Sequence, residues 1–293
     1  MPICPTRVLS CMVGGMEMLT PESVRARLKA AGAWSNKKLG QHFLVDASVL
    51  DSVVEAAELT PTDIVVEVGP GLGVLSRRLL PVAKRVIAFE YDPHMQAILA
   101  NDLPELEVVG GDVLRTAHKA LEGLETYKVV ANIPYNITTP LLRLFLEGGV
   151  GVLPSSLTLL VQKEIGERLA AGAAKPGRGY LSVLAQYYAE VRFVRDVAPS
   201  CFVPPPAVNS AVIHLALRTE RALPAAEEAD FLKFVHRYFI QPRKQLKNVV
   251  AGILGITTVE VSVYFKTLGF KDMVRAQELT VEDWITLYNN PFK

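Results

Sequence analysis

From about residue 60 to residue 217 the chain alternates short apolar runs with amphipathic ones, and this rhythm limits its possible folds more than any other feature. The runs at 63–69 (DIVVEVG), 85–91 (RVIAFEY), 106–112 (LEVVGGD), 127–132 (YKVVAN), 156–162 (SLTLLVQ) and 207–217 (AVNSAVIHLAL) read as strands. Most are apolar at consecutive positions, as expected of strands covered on both faces. Between them, 73–83 (GVLSRRLLPVA), a stretch opened by Asp92-Pro93, and 138–149 (TTPLLRLFLEGG) read as helices. Asp92 supplies a cap, Pro93 the first helical residue, and a glycine pair the stop. Such alternation specifies an α/β fold, a mostly parallel doubly wound sheet with helices on both faces.

After Leu217 the texture changes. Four amphipathic segments, ALPAAEEADFLKFVHRYF, QPRKQLKNVVAGIL, TVEVSVYFKTLGF and LTVEDWITLYNN, predict short helices joined by tight turns. A boundary near residue 217 then divides the chain into an N-terminal extension (1–36), a core domain (37–217) and a small helical domain (218–293). The first nineteen residues are too broken by Pro, Arg, Gly and Glu for a secretory signal. A partly disordered extension, or a start at Met16 or Met18, is expected there. No run of about eighteen apolar residues predicts a membrane span. Cys4, Cys11 and Cys201 are odd in number and lack a CxxC spacing, which fits a reducing cytoplasm and no metal site. Net charge is only +1, so any contact with nucleic acid must come from local clusters.

The glycine run Glu67-Val-Gly-Pro-Gly-Leu-Gly73 falls where the first strand feeds a helix. Glycines there let the backbone turn sharply and come close to a ligand. The spacing is GxGxG, without the Gly-Lys-Ser/Thr of a phosphate-cradling loop. Glu90 ends the second strand, roughly twenty positions beyond Gly69, where a carboxylate can accept both hydroxyls of a ribose. Asp112 ends the third and can accept from an adenine amine; a helix cap or a solvated strand end is the alternative for either carboxylate. Nucleoside recognition without a phosphate loop points to S-adenosylmethionine. A dinucleotide is the competitor, and the fourth strand argues against it.

That strand runs into VVANIPYNITTP. An adenine amine is a poor nucleophile because its lone pair is delocalised into the ring. Accepting hydrogen bonds from both of its N–H groups frees that pair. Asn132 can offer a side-chain oxygen and Ile133 a carbonyl. Pro134 has no N–H and biases Ile133 away from helical geometry, so the loop stays open. Tyr135 can stack on the base. Catalysis by positioning and polar preorganisation then needs no general base. A strand-end turn with Asn132 as a cap and Tyr135 in the core is the alternative.

At these residues the chain resembles the rRNA adenine N6,N6-dimethyltransferases, in particular their bacterial small-subunit (16S) branch, the kasugamycin-sensitivity methylases. The resemblance runs from about Lys37 to about Trp284 and includes KKLGQHFLVD, EVGPGLG, NIPYNITTP, FVPPPAVNSAVI, RKQLKN and RAQELT. It implies a Rossmann-like, class I core dependent on S-adenosylmethionine, with a C-terminal helical domain for rRNA. Cofactor contacts carried over fall on His42, Leu44, Gly69, Glu90, Asp112 and Asn132, with Gln41, Gly71 and Tyr91 as neighbours. Phe202 matches the aromatic that closes on the base opposite Tyr135. The implied reaction dimethylates N6 of two adjacent adenosines near the 3′ end of small-subunit rRNA. The implied partner is that rRNA within a pre-assembled 30S particle, met by a monomer with no metal and no membrane. His42 stands where many relatives carry Asn, GRGY at 177–180 departs from the usual linker order, and Pro242 replaces a residue that is often basic.

Two basic clusters suit phosphate contacts. One comprises Lys233, Arg237, Arg243, Lys244 and Lys247, with Tyr238 and Phe239. The other comprises Arg25, Arg27, Lys29, Lys37 and Lys38, with Trp34. Solvated charged faces are the alternative. Two rival functions remain on the sequence alone: the sister class that methylates large-subunit rRNA and confers macrolide resistance, and a non-catalytic RNA-binding assembly or transcription factor.

Overall fold

The computed structural model describes residues 20–30, 32, 41–175 and 177–292, and within them the apolar runs of the sequence become strands. In chain order the first half comprises α1 (Pro21–Ala30), β1 (Phe43–Leu44), α2 (Ala47–Ala56), β2 (Ile64–Val68), α3 (Ser76–Leu79), β3 (Arg85–Glu90), α4 (Pro93–Asp102), β4 (Glu107–Gly110), α5 (Val113–Ala120), β5 (Lys128–Asn132) and α6 (Thr138–Leu146). The second half adds β6 (Ser156–Gln162), α7 (Lys163–Ala170), α8 (Tyr180–Tyr188), β7 (Ala189–Val197), β8 (Phe202–Val203), β9 (Ser210–Leu217), α9 (Ala225–Tyr238), α10 (Leu246–Leu254), α11 (Thr258–Thr267) and α12 (Val281–Asn289).

A seven-stranded sheet has the order β4-β3-β2-β5-β6-β9-β7. The first five strands are parallel, and β9 runs antiparallel to both of its neighbours. Successive residues of one strand serve opposite faces. Val66, Val68, Ile87, Phe89, Val129, Ala131 and Ile213 pack under α5, α6 and α8, while Val65, Val86, Ala88, Val130 and Val212 pack under α2, α3 and α4. Burial on both sides is why these strands are apolar throughout. Strand order reverses between β2 and β5, and the crevice beyond the carboxyl ends at such a reversal is where open α/β sheets take ligands.

Three local expectations change. The helix expected over 73–83 shrinks to α3, because tight turns of the glycine loop consume its first residues. Strand β7 escaped the sequence reading, since AEVRFVRDV carries a charge at every second or third position. It is an edge strand with a bulge between Phe193 and Arg195, and charges suit an exposed edge. The first nineteen residues, where disorder or a later start was expected, lie outside the described ones; beyond them Pro21–Ala30 is a helix that the sequence reading did not assign. Its Val24 and Leu28 bury against Phe43, Leu72 and Met95, and Arg27 and Arg77 both reach Asp102, at 3.2 and 3.3 Å.

The four C-terminal helices form as expected. Thr257 and Thr280 open α11 and α12 with reciprocal caps to Glu260 and Asp283. One apolar cluster runs from the sheet through α8 to Phe231, Phe265 and Trp284, so these helices share the core of the sheet's outer face. Among the described residues no single helix is long and apolar enough to cross a membrane.

Candidate active site

Four strand ends and two loops meet at the reversal of strand order. Leaving β2, the chain turns through Gly69 (φ +71°) and Gly71 (φ +56°), a region of backbone space that L side chains rarely enter. A Cβ on Gly69 would stand 3.4 Å from the Pro134 ring, and one on Gly71 only 3.1 Å from Phe43. The loop therefore runs between the β5 turn on one side and β1 on the other, in ordinary contact at Gly69 and tight at Gly71. Gly69 N donates to Phe89 O at 2.9 Å, which ties the loop to β3.

Glu90 ends β3 and is 5 % exposed. Its Oε2 accepts from Gly71 N at 3.0 Å and its Oε1 from Asp92 N at 2.8 Å. Burial raises its pKa, although these backbone donors pull the other way. Each carboxylate oxygen keeps a further lone pair for a ligand hydroxyl. Below it, Glu67 is 1 % exposed and accepts from Ser76 Oγ at 2.6 Å. Burial pushes the Glu67 pKa up to about 8, so this carboxyl is protonated at neutral pH. Asp112 lines the crevice as the N-cap of α5, with Oδ1 accepting from Leu114 N at 3.0 Å and Oδ2 lying 3.9 Å from Arg115 Nε. The helix-cap alternative is thus realised, and an exposed arginine lies beside the second oxygen.

Asn132 ends β5. Its Nδ2 donates to His42 O at 3.2 Å, and among the described residues the side-chain oxygen has no hydrogen-bond partner. Ile133 N donates to Leu160 O at 3.2 Å, and the turn beyond takes the Pro134 carbonyl, which accepts from Ile137 N at 3.1 Å. The Ile133 carbonyl stays outside that turn. Tyr135 begins the turn; its hydroxyl is 2.5 Å from Ser210 Oγ and its ring stacks on the His42 imidazole at 5.7 Å and 27°. His42 Nδ1–H in turn donates to Pro204 O at 2.8 Å. Gly69, Gly71, Glu90, Asp112, Asn132 and Tyr135 all line one crevice of about 280 Å³, together with His42 and Leu44. Tyr91, 61 % exposed, forms its rim, and Gln41 reaches Asp92 Oδ2 at 3.4 Å.

Not every expected residue is there. Phe202 is 2 % exposed and packs with Leu44, Val49 and Val197 in the core. Pairing of β8 with β1, Leu44 opposite Phe202, turns that ring inward, so it does not face Tyr135. The ring against Tyr135 is that of His42. In the helical region Arg243 and Lys244 are exposed on the turn before α10, and Arg237 is exposed on α9. Lys247 instead forms an ion pair with Asp272 and is 18 % exposed, which withdraws it from a phosphate-binding role. Tyr238 is buried, and Phe239 packs on Trp284 at 5.4 Å, so both serve the core rather than a ligand. Lys37, Lys38 and Trp34 lie outside the described residues. The contacts of Ser210 and of the His42 ring were not foreseen. The available signal was a serine at the head of the strand SAVIHLAL, whose other residues except His214 are apolar.

The residues fit S-adenosylmethionine: two glycines at positive φ line the crevice, and a buried acidic residue ends the neighbouring strand. Fold and crevice together define a Rossmann-like, S-adenosylmethionine-dependent methyltransferase. The profile of the ribosomal RNA adenine dimethylase family matches residues 33–291, and the chain belongs to that family. It is 37 % identical over 253 residues to the ribosomal RNA small subunit methyltransferase A of Clostridium acetobutylicum, covering 85 % of this chain and 91 % of that one. It is 36 % identical over 285 residues to the protein of the same name from Pediococcus pentosaceus, covering 94 % and 95 %. Among solved structures, a dimethyladenosine transferase from Plasmodium falciparum superposes with a TM-score of 0.68 at 25 % identity, covering 84 % of this chain and 96 % of that one. The 23S rRNA methyltransferase ErmE gives 0.66 at 26 %, covering 84 % and 98 %. Among the described residues no group of three His, Cys, Asp or Glu could hold a metal ion.

Proposed function

We propose that this rRNA adenine methyltransferase dimethylates N6 of two adjacent adenosines near the 3′ end of small-subunit (16S) rRNA, acting as a cytoplasmic monomer on a pre-assembled 30S particle. Glu90 holds the ribose hydroxyls of the cofactor, Asp112 its adenine amine, and the Gly69–Gly71 backbone lies beneath it. Bound S-adenosylmethionine supplies an electrophilic methyl group on sulfur. The chain's own contribution is to make the acceptor nitrogen nucleophilic. Asn132 Oδ1 and the Ile133 carbonyl each accept one N6 hydrogen, which draws the nitrogen lone pair out of conjugation and toward the crevice. Tyr135 holds the plane of the base, and Pro134 keeps the turn open. Arg237, Arg243 and Lys244 contact rRNA phosphates.

The observation that carries this reading is the orientation of Asn132, whose amide nitrogen is tied to His42 O while its oxygen is left for a ligand. Small-subunit substrate is favoured over large-subunit rRNA by the names of the relatives at 36–37 % identity. The test incubates purified protein with undermethylated small subunits and labelled S-adenosylmethionine, followed by digestion to nucleosides. Labelled N6-dimethyladenosine is expected from small subunits and none from naked large-subunit rRNA. Label on the latter alone would reassign the substrate.

A further inference from the structure

Tyr135 rides on a three-residue turn in which no residue is fully buried. A stacking platform needs a fixed plane, and a tyrosine has two side-chain torsions to fix. Segments far away in the chain hold this one. His42 lies against its ring, and the imidazole is itself restrained by the carbonyl of Pro204. At the tip, the phenol oxygen meets Ser210 Oγ at 2.5 Å, across 75 positions of sequence.

Ser210 is the unexpected member of this set. It opens β9 at 0 % exposure, opposite Gln162 of β6 on one side and Val197 of β7 on the other. Its neighbours in the strand are apolar, and alanine would fit the pattern. A hydroxyl withdrawn from water at such a place costs free energy unless it is bonded. Among the described residues its side chain has one partner, the Tyr135 hydroxyl. Burial raises the Tyr135 pKa, so the phenol stays protonated and can donate. Ser210 itself does not line the crevice.

We infer that Ser210 is a positioning residue for methyl transfer: fixed in the sheet, it holds the Tyr135 phenol and so sets the plane against which the target adenine lies. The inference rests on Tyr135 being the base platform. Its role is indirect, since it touches neither base nor cofactor.

The test uses the full chain on undermethylated small subunits, with turnover, both Michaelis constants and the thermal midpoint measured for Ser210→Ala, Ser210→Thr, Tyr135→Phe, Tyr135→Ala and the double variant Ser210→Ala/Tyr135→Phe. Ser210→Ala should lower kcat about threefold to tenfold, the worth of one hydrogen bond, with the cofactor KM and thermal midpoint little changed. Ser210→Thr should restore turnover. Tyr135→Phe should reproduce the loss without touching β9, and adding Ser210→Ala to it should cost nothing more. Wild-type turnover in Ser210→Ala, an equal further loss in the Tyr135→Phe background, or a loss that follows the thermal midpoint would overturn the inference. Undiminished turnover in Tyr135→Ala would instead remove the reading of Tyr135 as the platform.

Discussion

The two halves of the crevice are built in opposite ways. On the cofactor side, the polar groups come from consecutive strand ends and are satisfied locally: Glu90 by Gly71 and Asp92, Asp112 by Leu114, Glu67 by Ser76. On the acceptor side, Asn132, Tyr135 and His42 are held by partners 90, 75 and 162 positions away. Local construction yields a site that assembles as soon as the parallel strands pair. Remote construction yields one whose geometry depends on the whole domain closing. Damage to the first half should therefore appear in binding, and damage to the second in turnover.

The sharpest way to break this contrast is Asn132→Ala. It should reduce kcat by about 10²–10³, the scale for removing one preorganised polar group, with cofactor affinity nearly kept. Steady-state kinetics on small subunits beside cofactor titration would decide; a loss confined to affinity would put Asn132 on the other side of the divide. Next, Glu90→Gln should weaken cofactor binding by about 10- to 100-fold, the worth of a charge-assisted hydrogen bond, while turnover at saturating cofactor changes little.

A smaller effect sharpens the cofactor side by pH. The folded-state pKa of Glu67 lies at about 8 against an ordinary 4.5, so the folded chain keeps a proton that the unfolded chain has lost. Stability from this group is fully present below the unfolded value and is lost as pH rises through the folded one. Glu67→Gln carries the neutral form throughout. Its thermal midpoint relative to wild type should rise steadily from about pH 5 to about pH 8, and a flat difference would show that Glu67 is ionised when folded. Smallest is the outlying basic surface. Arg243→Ala should lower the slope of log affinity against log salt by about 1, and Lys247→Ala, whose partner is Asp272, by less.

What the sequence made legible follows the same division. Strand positions, the glycine turn, Glu90 and Asp112 are readable because parallel strands buried on both faces leave long apolar runs, and their ends fall at one edge. The C-terminal helices are readable from their 3.6-residue periodicity and threonine caps. Partnerships such as Tyr135 with Ser210 or His42 with Pro204 obey no spacing rule, since the sheet brings them together only after β9 has paired. Phe202 shows the cost of that gap. Its motif put an aromatic near the base, but which way the ring points is set by its pairing with Leu44, which lies 158 positions earlier (202 − 44). Lys247 looked like a free cation until the fold set Asp272 beside it.

That two-residue ribbon, Phe43–Leu44 against Phe202–Val203, has its own consequence. Val45 N also donates to Cys201 O at 2.8 Å, so the crevice-lining segment Phe43–Leu44 and the chain that leads to Pro204 are one mechanical piece. Whatever shifts that chain, whose Pro204 carbonyl holds the His42 ring against Tyr135, must also move the lining of the crevice. Donor and acceptor should accordingly report on each other's presence, with a coupling factor that is the same whichever of them arrives first.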